Sequence, residues 1–102
     1  MAQIASFTKD PDARLDYQID WAAALQDADG NQIDFIVGSV WEVDDPDLVI
    51  EGAPFAPSFT ATTTLVWLSG GVAGANYQLT NRITTDDGRI DDRSIRIKVR
   101  ER

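Results

Sequence analysis

From Ser94 to Arg100 the chain alternates without a break: Ile95, Ile97 and Val99 fall on one side, Arg96, Lys98 and Arg100 on the other. A period of two marks an extended strand with one buried and one solvated face. Just upstream, Tyr77, Leu79 and Ile83 alternate with Gln78, Thr80, Arg82 and Thr84, and Asn81 is the one polar residue on the apolar side. Asp86-Asp87-Gly88 separates the two runs, and its glycine supplies the positive φ of a tight hairpin. Thr63 to Leu68 is β-branched and aromatic and stops at Ser69-Gly70-Gly71, which is turn chemistry. Three such strands must bury their apolar faces against a second sheet.

The preceding residues supply that sheet. Arg14 to Trp21 predicts a strand with Leu15, Tyr17, Ile19 and Trp21 on one face and Asp16, Gln18 and Asp20 on the other. Ala22 to Leu25 allows one helical turn, too short to be stable by itself. Asp27-Ala28-Asp29-Gly30-Asn31 predicts a surface turn. As a calcium loop it fails, because the sixth and twelfth positions, which want Gly and Glu, hold Gln32 and Gly38. Ile33 to Val43 is the longest strand candidate, with Phe35, Val37, Ser39, Trp41 and Val43 on one face and Ile36 and Val40 on the other. Asp44-Asp45-Pro46-Asp47 ends it. Leu48 to Ile50 predicts a short strand, Gly52 to Pro57 a proline-bounded loop, and Ser58 to Thr60 a brief pairing.

Pro11 fixes its own φ and holds Asp10 extended, so Thr8 to Pro11 predicts a turn or arm. The chain therefore divides into an N-terminal arm, residues 1–12, hinged at Pro11, and a single domain, residues 13–102. About seven short antiparallel strands, turn signals near every ten residues and no convincing helix predict an all-β immunoglobulin-like β-sandwich; a small β-barrel is the alternative. Trp41 on a central strand fits the sandwich. So does Tyr77 after Gly74-Ala75-Asn76, where a tyrosine corner bonds back to nearby backbone.

Charge sharpens this picture. The net charge is −8, yet residues 82–102 carry seven bases against five acids, and residues 1–81 carry twelve acids against Lys9 and Arg14. One acidic and one basic surface would suit head-to-tail contacts between subunits; two solvated faces are the plainer reading. An acidic chain avoids nucleic acid as a whole, since phosphate binding draws on positive surface. No run approaches the eighteen or so apolar residues of a membrane span, and the first residues lack the pattern of a secretory signal. Without cysteine the domain holds together by packing alone, which predicts synthesis in a cytoplasm.

Catalysis needs a group that moves protons near neutral pH or a prepared nucleophile. The chain has no histidine and no cysteine. Ser39 and Ser69 lie in no nucleophile elbow, and Ser69 to Gly74 lacks the Gly-Lys-Ser/Thr ending of a phosphate loop. The carboxylate pairs Asp44-Asp45, Asp86-Asp87 and Asp91-Asp92 are sequence neighbours at turns or strand ends, not two groups facing each other across a cleft. We expect no enzyme, no cofactor and no metal. The candidate interface residues are Trp67, Arg82, Arg96, Lys98 and Arg100. Trp67 points outward if Val66 and Leu68 face the core and inward if Leu65 does; both registers fit the pattern. The four bases fall on one outward face of the final hairpin.

Several stretches together resemble a known family. They are Lys9-Asp10-Pro11, Leu15-Asp16-Tyr17, Asp20-Trp21, Trp41-Glu42-Val43, Phe59 to Thr62, Val66 to Gly71, Tyr77, Thr80 to Thr85, Gly88-Arg89, Asp92 to Ser94 and Val99 to Arg102. The sequence is similar to the phage fiber-tail adaptor proteins, small virion proteins of tailed phages and prophages. The resemblance spans nearly the whole chain, apart from an insertion-like stretch between Leu25 and Ile36. It implies a virion structural role with no catalytic or cofactor residues, and we expect a protein that joins tail and fiber components in several symmetric copies. A capsid decoration or head-to-tail joining protein is the alternative within structural proteins, and a carbohydrate or host-surface binding module the alternative outside them.

Overall fold

The computed structural model describes residues 2–101, with side chains from Ala5 onward; Met1 and Arg102, the outer ends of the arm and domain assigned above, lie outside the described residues. Eight strands run in chain order: β1 (Ala2–Lys9), β2 (Leu15–Asp20), β3 (Ile36–Val43), β4 (Leu48–Ile50), β5 (Ser58–Phe59), β6 (Thr63–Gly70), β7 (Asn76–Thr85) and β8 (Ile90–Val99). One 3₁₀ turn, Ala22–Leu25, follows β2. No helix among the described residues is long and apolar enough to cross a membrane.

The strands form two sheets and no closed barrel. The first has the order β1-β8-β7-β3, and the second β2-β6-β4, with β5 also on β6. The arrangement is an all-β sandwich. β7 and β8 pair from Asn76 opposite Lys98 to Thr84 opposite Ile90, closing at the hairpin whose Gly88 has φ +88°. The strand count exceeds the expected seven by β1, which lies parallel to β8 rather than antiparallel.

Facing residues of the two sheets make the core. Tyr17, Ile19, Trp21, Val66, Leu68 and Leu48 meet Trp41, Tyr77, Leu79, Ile83, Ile95, Ile97 and Val99. Full burial of each aliphatic side chain contributes about 1.5–3 kcal/mol. The alternation expected for β2, β7 and β8 holds at these positions. In β3 it breaks. Ile36 pairs with Thr85 and Gly38 with Thr84, so Val37 is an extra residue in a bulge. The bulge flips the phase: Ile36 turns inward, whereas Phe35 and Val37, expected in the core, are 42% and 48% exposed. Trp41, downstream of the bulge, keeps its inward place.

Asn81, polar on an apolar face, joins the sheets. Its Oδ1 accepts from Trp21 Nε1 (3.0 Å) and from Thr64 Oγ1 (2.7 Å) across the core. Its Nδ2 donates to Ser39 Oγ (2.9 Å) and to the Val40 carbonyl (3.1 Å) on the neighbouring strand. The Tyr77 hydroxyl accepts from the Val72 N–H at 2.8 Å, the bond back to backbone that a tyrosine corner requires. Lys9, at the end of β1, is fully buried, and its ammonium donates to the carbonyls of Asp10 (2.9 Å) and Gly70 (2.8 Å). Burial pulls its pKa down against the attraction of Asp10 and Asp12. This lysine pins β1, on one sheet, to the end of β6 on the other.

Candidate functional site: two outer faces of the sandwich

Side chains directed away from the core define two broad outer faces. On the first sheet, strand pairing lays them out in rows. Ile90, Thr84 and Gly38 form one row, followed by Asp92, Arg82 and Val40, then Ser94, Thr80 and Glu42. Beyond these lie Ser6, Arg96 and Gln78, and last Thr8, Lys98 and Asn76. The face is graded, with exposed Ile90 and Val40 at one end and exposed Arg96 and Lys98 at the other.

Of the four predicted bases, Arg82, Arg96 and Lys98 stand in these rows, and their states differ. Arg82 grips Asp92 through two bonds, Nε to Oδ1 at 2.7 Å and Nη2 to Oδ2 at 3.0 Å. This pair holds the Asp92 carboxyl below and the Arg82 guanidinium above their ordinary values, chiefly through the hydrogen bonds themselves. With Val40, Glu42 and Thr80 the pair lines a hollow of about 180 Å³. Arg100 lies just beyond β8, and its guanidinium donates to the carbonyls of Val99 (2.7 Å) and Ala75 (3.3 Å) and to Asn76 Oδ1 (3.1 Å). It seals the end of the sheet. Arg96 and Lys98 make no ion pair among the described residues, and both are exposed.

Trp67 lies on the opposite side of the molecule. Val66 and Leu68 are buried, so Trp67 points outward from the second sheet. It is nevertheless half-covered. Phe55, from the loop between β4 and β5, packs on it with ring centroids 5.0 Å apart, and the Arg14 guanidinium stacks 3.9 Å above the Phe55 ring. Arg14 also reaches Glu51 at 3.6 Å, and Ser69 Oγ donates to the same carboxylate at 3.1 Å. Asp16 stands directly opposite Trp67 across the β2–β6 ladder, with Gln18 and Asp20 further along the same face. All three are exposed, and neither aspartate makes an ion pair among the described residues. The cover over Trp67 escapes sequence reasoning because Phe55 sits in a proline-bounded loop with no periodicity to orient it.

A third charged cluster, unmarked in the sequence, holds the hairpin end. The Asp34 side chain is fully buried and accepts from the amides of Phe35 (2.9 Å) and Asp87 (3.2 Å) and from Arg89 Nη1 (2.9 Å). Burial pushes its carboxyl up. The hydrogen bonds from the Thr85 hydroxyl, the two amides and Arg89 outweigh that and leave its pKa below the ordinary 3.8. A carboxyl lowered by folding contributes stability above its unfolded pKa and loses it as pH falls through the folded value. The urea midpoint of the wild type should therefore drop more steeply between about pH 5 and about pH 3 than that of Asp34→Asn. Parallel pH profiles for the two proteins would contradict this.

No curated protein sequence matches the chain. A family model does match, over residues 9–98, which takes in the second sheet, β3, β7 and nearly all of β8 from the first, the Asn81 network and most of the basic row. On that match the chain belongs to the family described as podophage GP4 fiber-tail adaptor protein gp77.

Proposed function

We propose that this chain is a non-enzymatic virion protein that joins a tail component to a fiber by protein–protein docking on an immunoglobulin-type frame. Membership of a fiber-tail adaptor family makes it a phage structural protein. In the immunoglobulin arrangement one sheet carries strands B, E and D and the other C, F and G. β2-β6-β4 and β3-β7-β8 follow that order, and the arm, residues 1–12, adds β1 at the edge.

The observation that carries the docking reading is the exposed pair Arg96 and Lys98. Neither makes an ion pair among the described residues, and both stand on a broad, ordered sheet face. Such a surface supports charge-complementary docking, which governs orientation and on-rate. A nucleic-acid partner fits poorly, because the row has no aromatic platform beside it and the chain is acidic overall. The outward Trp67 speaks for a carbohydrate-binding module, but Phe55 packs against its ring, with Arg14 stacked in turn on Phe55, and so takes up surface that a sugar would stack on.

The chain is made in the host cytoplasm and built into the virion in several symmetric copies. A cryo-EM map of the intact particle tests this reading. A symmetric ring of sandwich-shaped density between tail and fiber is the expected result. Density on the capsid lattice would replace it with a decoration role, and density at the head–tail junction with a joining role. Absence from the particle would overturn it in favour of a free binding module.

A further inference from the structure

We propose that the two outer faces are the two halves of one contact between copies. The Arg96–Lys98 row of one copy docks on the face around Asp16, Gln18 and Asp20, beside Trp67, of the next. The inference deepens the docking reading and rests on it, by naming a second copy as one partner and both surfaces that meet.

Three observations carry it. The first is complementarity: among the described residues Arg96 and Lys98 lie without ion pairs on the outer face of the β1-β8-β7-β3 sheet, and Asp16 and Asp20 lie without ion pairs on the outer face of the β2-β6-β4 sheet. The separation is structural, because β2 and β8 belong to different sheets and these side chains alternate with core residues. The second is size. The Cα extents are 44 × 26 × 19 Å. Sheets stack about 10 Å apart, so the shortest extent runs through the sandwich. The other two frame a footprint of roughly 1,100 Å², more than the about 800 Å² per partner of a standard interface. The third is apolar surface for both halves. Exposed Ile90 and Val40 stand at the far end of the face that bears the basic row, and exposed Val49 with half-covered Leu65 and Trp67 flank the acidic one.

A contact between two different faces is heterologous. It leaves one face of each terminal copy free, so it closes into a ring or grows as a chain, and it does not stop at a two-fold dimer. Exposed charges at the contact are screened by salt, so the association weakens as ionic strength rises.

The test uses the purified full chain in sedimentation velocity and light scattering, at about 50 mM and about 500 mM salt. Species larger than a dimer are expected at the lower salt, with loss of assembly at the higher. One variant, Arg96→Glu with Lys98→Glu, removes the basic half. A second, Asp16→Lys with Gln18→Lys, removes the acidic half and spares Asp20, whose Oδ1 accepts from the Ala22 amide. Each alone should weaken association by at least about tenfold. In an equimolar mixture the intact basic face meets the intact acidic face, and the new Glu row meets the new Lys face, so both contacts regain opposite charges and assembly should return. The milder Arg96→Gln with Lys98→Gln, checked for native tryptophan fluorescence, serves if the charge reversal unfolds the chain. A wild type that stays monomeric throughout overturns the inference, as do variants that assemble like the wild type or a mixture that does not assemble. A monomeric wild type would leave the position between tail and fiber untouched, and a particle map placing the chain elsewhere would leave the contact between copies intact.

Discussion

Asn81→Leu should lower the stability of the fold by about 3–5 kcal/mol, a large part of the 5–15 kcal/mol that holds a domain of this kind. Leucine fills a similar volume but breaks four hydrogen bonds at once. The Trp21 indole N–H and the Thr64 hydroxyl lose their acceptor, and Ser39 Oγ and the Val40 carbonyl lose their donor. Each buried group left unmade costs about 1–3 kcal/mol, reduced where a neighbour rearranges. Urea unfolding followed by tryptophan fluorescence measures the loss directly, because Trp21 sits inside the network. Ser39→Ala removes a single acceptor and should cost about 1 kcal/mol. A loss for Asn81→Leu as small as that would show that the network does not clamp the sheets. The same asparagine also guards the register. A one-residue slip of β7 would carry Asn81 to the outer face and strand the Trp21 N–H in the core.

Gly71→Ala should cost about 2–4 kcal/mol, for two separable reasons. Gly71 has φ +95°, where any side chain is strained, and a Cβ there would stand 2.6 Å from Val99 Cγ2. Val99 cannot retreat. It is fully buried, its N–H donates to the Ala75 carbonyl, and its own carbonyl accepts from Gly74. Gly30→Ala is the control: its φ is +84°, but nothing lies within 4 Å of the added Cβ, so only the backbone part remains, about 1 kcal/mol. Pairing Gly71→Ala with Val99→Ala should recover the steric part, beyond the cost of truncating Val99 itself. Equal losses for Gly71→Ala and Gly30→Ala would show that the clash relaxes at no cost.

Much of the candidate site was legible from residue order. Arg82, Arg96 and Lys98 stand on one outer face because period-two alternation leaves a strand no other choice once Ile95, Ile97 and Val99 turn inward. Their differing freedom was not legible. Arg82 is neutralised because Asp92 falls opposite it across the hairpin ladder, and Arg100 is occupied because the β6–β7 connection brings Ala75 and Asn76 beside it. Asp34 carried no signal, since its partners Asp87 and Arg89 are more than fifty residues away.

By itself the sequence determined the faces of β2, β7 and β8, the hairpin at Gly88 and the anchoring hydroxyl of Tyr77. All of these follow from alternation and turn chemistry acting over a few neighbouring residues. Tertiary structure decided what depends on residues far apart in the chain. The bulge at Val37 is set by the ladder with Thr84 and Thr85, and it sends Phe35 and Val37 outward against the local pattern. The outward register of Trp67 is settled by pairing with β2, and its cover by a loop that periodicity does not describe. The place of β1 is held by a parallel ladder to β8, more than eighty residues away, and by Lys9 reaching Gly70. Local sequence sets which side of a strand is apolar, but only packing between distant segments sets which strands meet and what lies over their outer faces.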